Sequence, residues 1–228
     1  MSLRNDWLQK IKNSPLSLNN VPKELLEDES FFLEVVKDSF SLANKYPNKE
    51  NFSYECFKKA VKQGSNIFRH VPEKYKTEEL SLMAAKMDGL SIMFGCKNGK
   101  TEKVYLAAVK QNGLALEHVP HEYRTDQICE AAVKEIGHAL KFIDYKPEYL
   151  KILAIKQNWR ALGILNKEEQ TPDLCLLAIK KNPEALSWVR ITSGRDDEKM
   201  EYLIKESSFT KNKALIKETI LNIKEEDL

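Results

Sequence analysis

No stretch of this chain approaches the ~18 consecutive apolar residues that a bilayer-spanning helix needs, so a membrane-spanning segment is not expected. Neither sign of charge dominates. Thirty-six basic residues stand against 34 acidic ones, for a net charge of +2, far from the strongly basic footprint of a general nucleic-acid binder. Cysteine is sparse, and Cys56, Cys96, Cys129 and Cys175 lie far apart without CxxC spacing. Three of them fall in apolar-periodic segments, where a free thiol acts as a small hydrophobe. The reading is therefore reduced, buried thiols rather than a disulfide or metal framework. The chain also lacks a nucleophile motif, a glycine-rich phosphate loop and an HExxH pattern. No catalytic, cofactor-binding or metal-ligating residue is assigned. The opening MSLRNDWLQKIK mixes charge into every turn and does not read as a secretory signal. No linker rich in Pro, Gly or Ser divides the 228 residues, which read as one domain.

What is present is repetition, and it takes precedence over length as a guide to fold. The stretch YLAAVKQNGLALEHVP (105–120) returns as AAVKEIGHALKFI (131–143), LAIKQNWRALGIL (153–165) and LAIKKNPEALSWV (177–189). Blurred copies precede it at 59–72 and 84–94. The lysine that ends each first apolar run falls at Lys12, Lys37, Lys62, Lys86, Lys110, Lys134, Lys156, Lys180 and Lys205. The spacings are 25, 25, 24, 24, 24, 22, 24 and 25 residues. Two positions earlier stands an unbroken series of Ala60, Ala84, Ala108, Ala132, Ala154 and Ala178. That series predicts the point where two helices approach most closely.

Each unit reads as a pair of short helices. The first carries apolar residues at helical spacing, as in Val104, Ala107 and Ala108. Thr77, Thr101, Thr125 and Thr171 stand at its start as amide-capping residues, with Pro172 suited to the first helical position. The break at Asn112-Gly113 or Asp88-Gly89 suggests a left-handed residue. A shorter second helix follows and stops before Pro22, Pro72 or Pro120. One such pair cannot bury its own apolar stripe, so neighbours must stack. The fold class predicted is all-α, with tandem two-helix repeats stacked as an α-solenoid or compact helical array. About nine units fill 1–228, with an N-terminal cap over 1–28 and a capping helix and tail over 206–228.

The segment AAVKQNGLALEHVPHEYRTD joins a VK ending, an NG break, an AL restart and the following Arg124-Thr125-Asp126. In this it is similar to a tandem helical-repeat family of unknown function, whose units take the form LxAVKQNGxALxxxxxxLRxDxE. The resemblance is close over 102–141, fair over 150–188, and faint before Asn51 and after Arg195. The chain departs from the pattern at Trp159 and Pro183, where glycine is usual, so those turns are expected to be stiffened or re-aimed. Proteins resembling this family occur largely as effectors of intracellular bacterial pathogens. The resemblance thus implies a soluble protein of the bacterial cytoplasm, then secreted into the host cell cytoplasm. It carries no catalytic residues. The tail KETILNIKEEDL resembles the glutamate-rich ends of some type IV secretion substrates, beside its plainer reading as a charged tail.

The lysine register is the main candidate for function. Stacked with small rotation, Lys62, Lys86, Lys110, Lys134, Lys156 and Lys180 form a basic ladder suited to an acidic partner. A local explanation competes, because a lysine in the last turn offsets the negative helix end and its stem covers apolar surface. Phe31, Phe32, Phe57, Tyr105, Tyr149 and Trp188 read as core. Trp159, in place of a turn glycine beside Arg160, reads as an exposed contact anchor. His118 and His121 lie three apart without a carboxylate or cysteine that completes metal spacing in sequence. The functional expectation is a monomeric, non-enzymatic module that binds a host protein, with nucleic acid disfavoured. The alternatives are a peripheral membrane or phosphoinositide binder using the lysines, and a targeting module without its own activity.

Overall fold

The computed structural model describes residues 2–38, 41–46, 49–95 and 99–190. Cys96, the copy around Lys205 and the expected C-terminal helix and tail lie outside the described residues. The chain divides between His118 and Val119 into two compact units. The described residues of both are all-α, without a strand.

The first unit runs through α1 (Leu3–Asn13), α2 (Lys23–Leu26), α3 (Glu29–Asp38), α4 (Leu42–Lys45), α5 (Tyr54–Gln63), α6 (Glu78–Met87) and α7 (Glu102–Gln111). The second holds α8 (Asp126–Glu135), α9 (Glu148–Gln157) and α10 (Pro172–Lys181). Within each unit, successive repeat helices pack side by side: α5 on α6 and α6 on α7, then α8 on α9 and α9 on α10.

The repeat helices from α5 to α10 are each ten residues long, and the sequence dictates both ends. Side-chain oxygens of Thr77, Thr101 and Thr171 accept from the amides of Leu80, Val104 and Leu174. Pro172 occupies the first turn of α10, where its missing N–H costs nothing. The far end differs from the left-handed break expected. Asn112 has φ −149° and ψ 109°, an extended residue rather than a left-handed one. Its amide closes α7 on the carbonyl of Ala108 at 2.8 Å, while its side chain accepts from the amide of Leu114 at 3.0 Å. Asp88, Asn158 and Asn182 cap the amides of Leu90, Arg160 and Glu184 in the same way. The asparagine therefore ends one helix and starts the next.

That next helix is a 3₁₀ helix of six residues, as at Gly89–Phe94, Gly113–His118 and Gly137–Phe142. Its apolar pair, such as Ala115 and Leu116, is fully buried. The first glycine is required by space rather than by backbone angle. A Cβ on Gly89 would run into the carbonyl oxygen of Ala108, and one on Gly137 would lie 2.6 Å from that of Ala154. The six alanines of the register have no exposure at all, so the tightest approach is turn against helix rather than helix against helix. Where Trp159 and Pro183 replace glycine, the preceding Asn158 and Asn182 keep φ near −150°. Those turns are not re-aimed.

The buried stripe of each helix is two columns wide. Val104, Tyr105, Ala108 and Val109 are buried in α7, matched by Ile128, Cys129, Ala132 and Val133 in α8. Phe31, Phe32, Phe57 and Tyr105 lie in the core as expected. Tyr149 and Trp188 do not, being 46% and 40% exposed.

Candidate functional site

Because the buried columns of α7 are 104/105 and 108/109, residues 103, 106, 107 and 110 share another face at helical spacing. Packed beside it, α6 turns Leu82 and Lys86 to the same side. The result is an open groove of about 460 Å³, lined by Leu82, Lys86, Lys103, Leu106, Ala107, Lys110 and Gln111. Its floor is apolar and half-buried, whereas Lys86, Lys103 and Lys110 are exposed. None of the seven lining residues is acidic or aromatic. Glu79, one turn before Leu82 on α6, is engaged by the Lys58 ammonium at 2.7 Å and the Tyr54 hydroxyl at 2.9 Å. Those hydrogen bonds hold its carboxyl below the ordinary range.

Gln111 fixes the seam at one end. Its side-chain oxygen accepts from the Gly89 amide at 2.6 Å, and its NH₂ donates to the Met87 carbonyl at 3.3 Å. In the second unit Gln157 clamps Gly137 and Glu135 in the same manner, at 2.9 and 3.1 Å. The glutamine of the VKQ sequence is thus the bolt between one helix end and the preceding turn.

All six candidate lysines occupy exposed positions in the last turn of their helices, where the local helix-end role is satisfied. They differ in company. Lys86 and Lys110 meet at one groove. Lys62 acts on the Glu79 charge. Lys134 is tied to Glu130 at 2.6 Å. Lys156 and Lys180 end α9 and α10. Lys103 was not anticipated, although a lysine seven residues before Lys110 shares its helical face.

Trp159 is partly exposed, and the Arg160 guanidinium lies 4.5 Å over its ring. It meets Trp188 edge to face at 5.8 Å, and Trp188 in turn covers Gly163. A polar hub lies behind this pair. The buried Gln170 donates to the carbonyls of Leu162 and Trp188 at 3.1 and 3.2 Å, and accepts from the Arg190 amide at 2.8 Å. Arg124 performs the same task two copies earlier, donating to Val119 and Phe142 carbonyls at 2.8 and 2.6 Å. The arginine of the Arg-Thr-Asp sequence therefore ties the start of the second unit to the end of its Gly137–Phe142 3₁₀ helix.

Also in the second unit, a cleft of about 420 Å³ gathers His121, Arg124, Asp126, Cys129, Asp144, Tyr149 and three apolar residues around Tyr145. His121 Nδ1 lies 3.3 Å from Asp144, a carboxylate that sequence spacing did not reveal. The described residues contain no group of three or more His, Cys, Asp or Glu arranged to hold a metal. Burial pushes the Cys129 thiol up, against the opposing charge of Arg124. It pushes Cys56 up to about 12, with Glu29 adding to the effect. Thiols so held are poor nucleophiles.

Fold and groove together define an all-α array of capped helix–turn–3₁₀ units with a lysine-rimmed, apolar-floored seam. Residues 101–151 match the family model described as a domain of unknown function, DUF4116. That stretch carries Lys103, Leu106, Ala107, Lys110, Gln111 and Arg124. No curated protein and no solved structure matches the chain.

Proposed function

We propose that this protein is a non-enzymatic interaction module that binds another protein through the α6–α7 groove. The observation that carries this reading is the groove itself: an apolar floor rimmed by three exposed lysines without an acidic lining residue. Elsewhere in the register, Lys134 has a carboxylate to answer, and a lysine already answered contributes little to binding a partner. Among the described residues, Lys86 and Lys110 carry no ion pair. The raised Cys56 and Cys129 thiols weigh against a cysteine nucleophile. The likeness of the AVKQNG-type repeat to pathogen effectors extends the proposal to a bacterial effector acting inside a host cell.

Affinity capture from eukaryotic lysate tests it, with wild-type protein and a Lys86→Glu/Lys110→Glu variant confirmed as folded by circular dichroism. The expected result is a partner retained by the wild type and lost by the variant. Equal retention by both removes the groove from the account. The exposure of all six register lysines favours a second reading, a peripheral binder of acidic membrane. On that reading, vesicles containing phosphatidylserine bind the wild type with a steep salt dependence.

A further inference from the structure

We infer that the α6–α7 groove takes an acidic amphipathic helix of a partner protein. This rests on the interaction reading above and names the chemistry of the partner. The modes by which proteins commonly grip a peptide are few, and each needs particular equipment. Strand addition needs a sheet edge, and the described residues contain no strand. Recognition of a proline-rich segment needs an aromatic-lined groove, yet no lining residue is aromatic. Phosphopeptide sites are built from arginine clusters, whose fork matches phosphate in two bonds, and this rim is lysine throughout. Sequence-tolerant binding of single-stranded nucleic acid also needs aromatic stacking platforms. Helix-in-groove docking needs an apolar trough between two walls, and the seam between the packed α6 and α7 supplies one.

The dimensions and charges agree. Both walls are ten-residue helices, about 15 Å long at about 1.5 Å per residue, so a segment of roughly three turns fills the trough. Leu82, Leu106 and Ala107 make its floor and accept an apolar ridge spaced i, i+3, i+4 and i+7. Lys103 and Lys110 stand two turns apart on one wall, and Lys86 stands on the other. An occupant with carboxylates on both flanks of its ridge therefore meets a cation on either side. Lysine suits this task, because its ammonium swings to meet carboxylates along a helix without demanding a planar fork.

The test is selection from a displayed library of about 14-residue peptides with leucines fixed at i, i+3, i+4 and i+7 and all other positions random. Selected peptides are measured by fluorescence anisotropy against four proteins. These are the wild type, Lys86→Glu/Lys103→Glu/Lys110→Glu, Ala107→Trp, and the charge-matched control Lys134→Glu/Lys156→Glu/Lys180→Glu. The expected result is strong enrichment of Glu and Asp beside the leucine ridge. Affinity then falls about tenfold or more in the groove reversal and in Ala107→Trp, and by less than about threefold in the control. Recovery of no peptide, recovery without acidic enrichment, or equal weakening by both triple variants overturns the inference. Binding of phosphatidylserine vesicles without peptide binding also overturns it. If lysate capture still yields a partner lost by Lys86→Glu/Lys110→Glu, only the helix inference has failed. If capture yields nothing that distinguishes the two proteins, the interaction reading fails with it.

Discussion

Two grooves in the first unit occupy the same place in the repeat and carry opposite electrostatics. Between α6 and α7, Lys86 and Lys110 rim an apolar trough without an acidic lining residue. Between α1 and α3, a trough of about 310 Å³ is lined by Leu8, Ile11, Lys12, Pro15, Glu34, Val35 and Asp38. There the register lysine, Lys12, lies 3.9 Å from Asp38, and Glu34 accepts from Nη2 and Nε of Arg4 at 2.8 and 3.1 Å. The lysine keeps its helix-end duty in both places. Its availability to a partner is decided by the neighbouring helix, which supplies two acids in one groove and none in the other. A register position is therefore a structural device first, and becomes a binding device only where its surroundings leave it unanswered.

The largest expected effect comes from breaking the seam itself. Gly89→Val drives a branched side chain against the Ala108 carbonyl and Gln111, at a cost of about 1–3 kcal/mol of the kind seen on overpacking. Urea unfolding measures it, and peptide binding at α6–α7 should fall in parallel. Next comes Gln111→Ala, which deprives the buried Gly89 amide of its partner and frees the Met87 carbonyl, for a loss of about 1–2 kcal/mol. Gln111→Glu should fall between, because a carboxylate accepts from Gly89 but donates nothing to Met87. One residue past the register lysine of α1, by contrast, Asn13 bonds only locally with Gln9. Asn13→Ala should therefore shift stability by less than about 0.5 kcal/mol.

Removing the acids should convert one groove toward the other. Glu34→Gln/Asp38→Asn leaves Lys12 unanswered, and anisotropy should show a several-fold gain in affinity for acidic peptides at α1–α3. The smallest effect concerns acid. Burial opposes the charged form of Asp28, but hydrogen bonds from Ser30 and the charge of Arg4 outweigh it and hold the carboxyl below its ordinary 3.8. A depressed carboxyl stabilises the fold above its unfolded value, and that contribution is lost as pH falls through the lower folded value. Asp28→Asn should therefore flatten the acid limb of the stability profile below about pH 4, while Lys103→Gln leaves that limb unchanged.

Much of the architecture was legible in the residues. The 24-residue period, the alanine series, the threonine caps and the buried Cys56, Cys129 and Cys175 all mark helices stacked on neighbours. The asparagine-glycine break was located correctly but given the wrong cause, since an extended asparagine that caps and a glycine that admits a carbonyl look the same in sequence as a left-handed turn. The 3₁₀ character was hidden, because an apolar pair in a six-residue segment has no distinguishing period. The groove was hidden for a related reason. Reading Val104, Ala107 and Ala108 as one apolar face, with Tyr105 and Val109 beside them, assigned Ala107 to the core, whereas the structure leaves Ala107 half-buried on the groove floor. Contacts made by Gln111, Gln170 and Arg124 reach carbonyls or amides 18 to 24 residues away, and such pairings appear only once the copies are stacked.

The most direct test of the account is a transverse-relaxation-optimised NMR titration of the labelled protein with a selected acidic peptide. The account predicts that resonances of Leu82, Lys86, Leu106, Ala107 and Lys110 move together and saturate, while those of Leu8, Ile11 and Val35 stay in place. Shifts centred on the α1–α3 groove, or on residues of the second unit with α6 and α7 unmoved, would contradict it.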